Sequence, residues 1–239
     1  MDNATSPARV PAGRTGTSWY WLIKHGAAAL LVAAIFGFGS GRAGWTRAWV
    51  YLGLTVAVQA ASTLALARVS PDLLVERSRL RQGTKPWDKL LAPVVAGGSL
   101  LIFLVAALDV RFHWPPAVPA GWSAAALAVC GAGALLTHRA MVANRFFSAT
   151  VRIQVERGHV VVDGGPYRRV RHPGYTGALA FTLASPLALG SWAALVPAAA
   201  IAAVLVVRTA LEDRTLHREL TGYPDYARRV RYRLLPGLW

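Results

Sequence analysis

Six apolar stretches run along the chain, at about residues 20–39, 46–68, 89–110, 119–141, 174–189 and 191–211, separated by polar or charged connections. Most come close to the roughly 20 residues that a helix needs to cross the hydrocarbon core of a bilayer. The pattern therefore predicts an all-α integral membrane protein with about six transmembrane helices. The fifth stretch is short and contains Ser185-Pro186, and only Leu187 to Ser191 joins it to the sixth. Those two stretches are expected to form a tight helical hairpin, with Pro197 placed to kink its second arm. Residues 1–18, rich in Gly, Ser, Thr, Ala and Pro, read as a disordered lead-in. Residues 19–141 read as a bundle of four helices, and 142–239 as a unit made of a loop, the hairpin and a tail.

Composition strengthens the membrane reading. With 54% hydrophobic and 15% charged residues, the chain has too little polar surface to cover a soluble globule of 239 residues. The formal net charge of +15 would suggest nucleic acid in a soluble protein, but here the basic residues lie between apolar stretches, the bias that orients membrane helices. The connections alternate between heavy and light: six Lys and Arg in 68–89, one in 109–119, seven in 138–173, none at the hairpin tip and seven in 208–239. Six spans with both termini cytoplasmic satisfy that alternation, with Arg42 and Arg47 a small misfit on the outer side. No small-residue cleavage site follows the first apolar run, so it reads as an uncleaved anchor. The single cysteine, Cys130, sits in an apolar segment and reads as a small buried hydrophobe.

Polar residues on the cytoplasmic side then gather in three places. Ser70 to Lys89, with "ERSRLRQGTKPWDK", reads as an interfacial amphipathic stretch with Trp87 at the headgroup level. Asn144 to Tyr175 and Arg208 to the C-terminus bracket the hairpin, so closing the hairpin brings them to one membrane face. In the first of these two, His159 to Val162 is a brief β-like run, Asp163-Gly164-Gly165-Pro166 is turn chemistry, and Arg171-His172-Pro173 leads into a helix. The free N–H groups of that helix start favour an anionic or electron-rich ligand group. On the last helix, Arg208 and Glu212 stand four residues apart. They either pair with each other or face a cavity; Arg before Glu is the weaker order for a helical pair, and charges at membrane depth usually face a cavity. A carboxylate there can hold an ammonium group, and an arginine fork a carboxylate or phosphate. The tail "GYPDYARRVRYRLLPGLW" opens with a turn and spaces Tyr226, Val230 and Leu234 on one helical face, as an interfacial anchor or a lid would. The sequence shows neither a catalytic dyad nor a cluster with metal-ligand spacing.

"GPYRRVRHPGYTG", a hydrophobic hairpin, "RTALED" and the tail, in that order, resemble the isoprenylcysteine carboxyl methyltransferase family over about Asn144 to Trp239. The resemblance implies a cytoplasmic loop and tail that bind S-adenosylmethionine through Gln154, His159, Val160, Val161, Val162, Tyr167, His172, Pro173, Gly174, Tyr175 and Glu212. It implies Arg208 as the catalytic, substrate-side arginine. Two departures stand out: Gln154 lies closer to His159 than in the eukaryotic enzymes, and the expected Glu-Glu pair reads Glu212-Asp213. The implied acceptor is a membrane lipid or lipidated small molecule, most simply an isoprenylcysteine-like carboxylate, which is ionised at neutral pH and needs no general base. A phospholipid amine and a small thiol stay open as acceptors. So does a different chemistry, an NADPH-dependent membrane reductase of the sterol-reductase type, in which a similar His-Pro-x-Tyr box occurs.

Overall fold

The computed structural model describes residues 14–77 and 83–239. Their architecture is all-helical: α1 Arg14–Ala34, α2 Thr46–Val69, α3 Pro71–Arg77, α4 Asp88–Phe112, α5 Ala120–Ala143, α6 Pro173–Leu189, α7 Leu195–Glu219 and α8 Tyr223–Arg229. Four of these, α2, α4, α5 and α7, are long and apolar enough to cross a membrane, which makes the chain a multi-pass membrane protein. The other two apolar helices fall below the length of a full span, α6 as the short fifth stretch predicts. The apolar part of α1 is Ile23–Gly39, its last turn wound as a π-helix over Ile35–Gly39. At 17 residues α6 spans about 26 Å, short of a ~30 Å hydrocarbon core.

The lead-in expected over 1–18 lies largely outside the described residues, and α1 already begins at Arg14. His159 to Val162 form no strand among the described residues. Of the stretch 70–89, residues 78–82 lie outside the described part, while Pro71–Arg77 is helical.

The hairpin forms as the spacing predicts, with a specific turn. Gly190 ends α6 at φ 86°, where a side chain would be strained and its Cβ would also lie 2.3 Å from Arg47 Nη1. Ser191 Oγ then accepts the Ala194 N–H at 3.1 Å in the turn before α7. Beneath the hairpin α5 and α6 meet backbone to backbone. A Cβ on Gly177 would sit 2.4 Å from Gly133 O and Thr137 Oγ1, and one on Gly133 would sit 2.6 Å from Gly177 O. Small residues at a membrane helix crossing permit that approach. The core on the side away from the loops is aromatic: Phe36, Tyr51, Phe103 and Phe181 pack ring to ring around buried Ile102 and Leu189. Cys130 is fully buried within it.

Helix α7 outruns its apolar stretch by about two turns, and those turns carry Glu212, Asp213 and Leu216 to the loops. The chain then turns at Gly222 (φ 82°), forms α8 and doubles back along the start of α6. There the N–H groups of Arg171 and His172 donate to Tyr232 O and Arg233 O, both at 2.9 Å. Thr176 Oγ1 donates to Leu234 O at 2.8 Å, so the tail is bonded into the fold and not merely laid on a surface.

Candidate functional site

One cavity of about 310 Å³ opens where the long loop 144–172, the N-terminal half of α6, the end of α7 and α8 converge. That size lies at the lower end of the range for small-molecule sites. Of the residues singled out from the sequence, His159 to Val162, Tyr167, His172, Gly174, Tyr175, Arg208 and Glu212 all line it. Gln154 and Pro173 do not.

The start of α6 shapes one wall. Pro173 takes the first helical position, where no N–H donor is needed, and His172 precedes it as the N-cap residue. Gly174 is required by space, because a Cβ there would lie 2.4 Å from the Phe147 ring. The His172 Nε2 atom turns inward, 3.2 Å from Asp213 Oδ1 and 3.3 Å from the Tyr223 hydroxyl. Asp213, only 2% exposed, also contacts Arg171 Nε at 2.9 Å, accepts from Arg233 Nε at 2.8 Å and accepts the Tyr223 hydroxyl at 2.9 Å. The second acid of the pair is thus a hub that fixes His172, α8 and the tail, and its shorter side chain reaches all of them.

Glu212 behaves differently. Its Oε2 accepts the Tyr175 hydroxyl at 2.6 Å, and no basic residue pairs with it among the described residues. The alternative in which Arg208 and Glu212 pair with each other is not what is found. Arg208 instead forks onto Asp88, Nε to Oδ1 at 2.6 Å and Nη2 to Oδ2 at 3.1 Å, and Nη2 also donates to Ala149 O at 3.0 Å. On α7 the site therefore presents a neutralised cation and a carboxylate with an uncommitted oxygen, one helical turn apart.

The loop supplies the opposite wall. His159 stacks on Phe146 with ring centroids 4.5 Å apart, and its Nδ1 accepts the Gln154 N–H at 3.3 Å. Burial, then the charges of Arg152 and Arg157, push the imidazole down to about 4, so it is neutral at pH 7 and its Nδ1 is free to accept. Gln154, 1% exposed, is internal: its Nε2 donates to Phe146 O at 2.7 Å and its Oε1 accepts from Arg157. It sets the loop that presents Phe146 and His159. Farther along, Asn144 Nδ2 donates to the Tyr167 hydroxyl at 3.2 Å, and the Tyr226 hydroxyl donates to Tyr167 O at 2.8 Å.

The stretch 70–89 corrects the sequence reading most. Its described residues are docked on the loop instead of lying apart as an interfacial segment. Arg152, buried, binds Glu76 of α3 at 2.7 Å, and Arg157 pairs with Asp72. The Val151 N–H donates to Asp88 Oδ2 at 2.7 Å, the Lys85 N–H to Val151 O at 3.0 Å, and Thr84 and Thr150 share a bond at 3.1 Å. Arg77, Phe146, Phe147, Tyr223 and Tyr226 line the cavity without having been singled out for it. The one available signal was Asp88, an acid at the mouth of an apolar run, whose burial demands a partner.

The cavity joins apolar and aromatic side chains with a carboxylate half free to accept, which suits a polar, cation-bearing ligand beside a lipidic one. No curated protein sequence matches the chain significantly. Among solved structures, that of the eukaryotic intramembrane Ras methyltransferase ICMT superposes with a TM-score of 0.56 at 20% sequence identity, covering 88% of this chain and 74% of that one. At that identity the likeness speaks for the fold. Residues 125–218, which contain α6, most of α5 and α7 and the whole loop, match the family model described as the isoprenylcysteine carboxyl methyltransferase (ICMT) family. The match takes in the loop and the hairpin and less than half of the chain, so these residues are what the chain shares with that family.

Proposed function

We propose that the cavity holds S-adenosylmethionine against the loop and Glu212 and passes its methyl group to the carboxylate of an isoprenylcysteine-like lipid, which reaches Arg208 from between the helices. The observation that carries this reading is that Glu212, with no basic partner among the described residues, and Arg208, anchored to Asp88, line one cavity together with the apolar Val95, Ala178 and Leu205. The donor fits the residues present. Glu212 Oε1 can accept from an ammonium group or ribose hydroxyls, and the stacked Phe146 and His159 offer an edge to an adenine ring. His172, Tyr167 and Gly174 line the cradle, Pro173 starts the helix that carries Gly174, and Gln154 supports the loop from behind.

When bound, S-adenosylmethionine supplies a methyl group already activated on a sulfonium. What the chain has to provide is alignment and exclusion of water. Arg208 and Glu212 are one turn apart on a rigid helix, which fixes the separation between the two ligand groups. An acceptor carboxylate held by the arginines would already be ionised and could take that methyl group without losing a proton, so the chain would need no general base. The neutral His159 suits that chemistry. We further propose six spans with both termini and the cavity on the cytoplasmic side, because the basic loops 138–173 and 208–239 both meet at the cavity.

The test is transfer of tritiated methyl from S-adenosylmethionine by the purified chain in nanodiscs to N-acetyl-S-farnesylcysteine, phosphatidylethanolamine and a small aliphatic thiol. Base-labile methyl ester on the farnesylcysteine probe is the expected product. Label found only in the amine or the thiol would overturn the carboxylate reading.

A further inference from the structure

Four arginines line the cavity: Arg77, Arg152, Arg171 and Arg208. Three have a carboxylate already. Arg152 has Glu76 at 2.7 Å, Arg171 has Asp213 at 2.9 Å and Arg208 has Asp88 at 2.6 Å. Arg77, the last residue of α3, has none among the described residues; its Nη1 donates to Phe147 O at 3.1 Å and its guanidinium lies 5.4 Å from the Phe147 ring centroid. Burial and the neighbouring charge of Arg208 lower its affinity for a proton to about 10, which still leaves it charged at neutral pH. A cation held out of water without a counter-ion is costly, and the cost is relieved when an anion arrives. An anion entering here displaces no resident partner, whereas Arg208 would have to share with Asp88.

We infer that Arg77 receives the carboxylate of the methyl acceptor, so that α3, a helix outside the family-matched residues, selects carboxylate acceptors over neutral amines and thiols. This rests on the methyl-transfer reading above. Arg77 and Arg208 then play different parts: Arg208, clamped by Asp88 and Ala149 O, is a fixed wall, and Arg77 supplies the unspent donors of its guanidinium fork. The floor beside them, Val95, Ala178 and Leu205, is apolar, as the prenyl chain next to that carboxylate requires.

The experiment compares wild type, Arg77→Gln and Arg77→Lys in nanodiscs, using N-acetyl-S-farnesylcysteine as acceptor and its carboxamide, which lacks the negative charge, as competitor. Arg77→Gln is expected to raise the acceptor KM at least about tenfold, equivalent to about 1.4 kcal/mol. The Kd for S-adenosylmethionine and the Ki of the carboxamide stay within about twofold, and Arg77→Lys recovers part of the loss. An unchanged KM, or a carboxamide Ki or cofactor Kd that rises in step with KM, overturns the inference by making Arg77 a structural residue. If the wild type methylates no carboxylate probe, the underlying acceptor reading fails and this inference with it, a result visible before any variant is made.

Discussion

At the scale of single residues, the charges of α7 divide into three environments that the sequence presents as one cluster. Glu212 has a free oxygen, Asp213 is fully engaged and Arg208 is neutralised by a residue 120 positions away. Glu212→Gln keeps the bond from Tyr175 but removes the charge, so it is expected to weaken S-adenosylmethionine binding at least about tenfold, by calorimetry, without altering thermal stability. Asp88 is 0% exposed, and removing it strands Arg208. Asp88→Asn should cost on the order of 3–5 kcal/mol of stability. The double variant Asp88→Asn, Arg208→Met should be less destabilised than Asp88→Asn alone, and equal or greater loss in the double would mean the pair is not what holds these elements. The motif residues His172, Tyr175 and Glu212 were legible because they recur in a fixed order. Asp88 was not, since a pairing across 120 residues leaves no periodicity to read, and Gln154 was placed in the site although its amide faces inward.

Among the elements, the hairpin and the long helices follow from the apolar runs, and their ends do not. Nothing in hydropathy says that α7 continues to Glu219 or that α3 docks on the loop, because both are made of polar contacts whose partners lie far off in sequence. The loop itself is pH-sensitive through His159. Its folded pKa, about 4, lies below the unfolded value near 6.5, so the unfolded chain binds the extra proton between those values. The loop's stability is therefore full above about pH 6.5 and falls as pH drops toward 4, and His159→Asn should remove that part of the acid sensitivity in hydrogen-exchange measurements. The tail forms part of the cavity wall, since Tyr223 and Tyr226 line the cavity and residues 232–234 accept bonds from Arg171, His172 and Thr176. Deleting 223–239 should accordingly abolish cofactor binding as well as transfer. Retained binding with lost turnover would restore the lid.

For the whole molecule, one close helix crossing links the membrane bundle to the site. Gly177→Val forces α5 and α6 apart where a Cβ would already lie 2.4 Å from Gly133 O, and it should destabilise the protein by about 1–3 kcal/mol while displacing Tyr175, two residues away. The reading of the sequence reached the membrane class, the hairpin and the family box from residues 144–239, while the bundle before them carries α3 and Asp88 into the site without any motif to announce it. The account stands on the cavity being a site for S-adenosylmethionine, and isothermal titration of the purified chain with S-adenosylmethionine, S-adenosylhomocysteine and NADPH tests this most directly. The account predicts one saturable site for each of the first two, lost in Glu212→Gln, and no binding of NADPH; saturable NADPH binding with none by S-adenosylmethionine would contradict it.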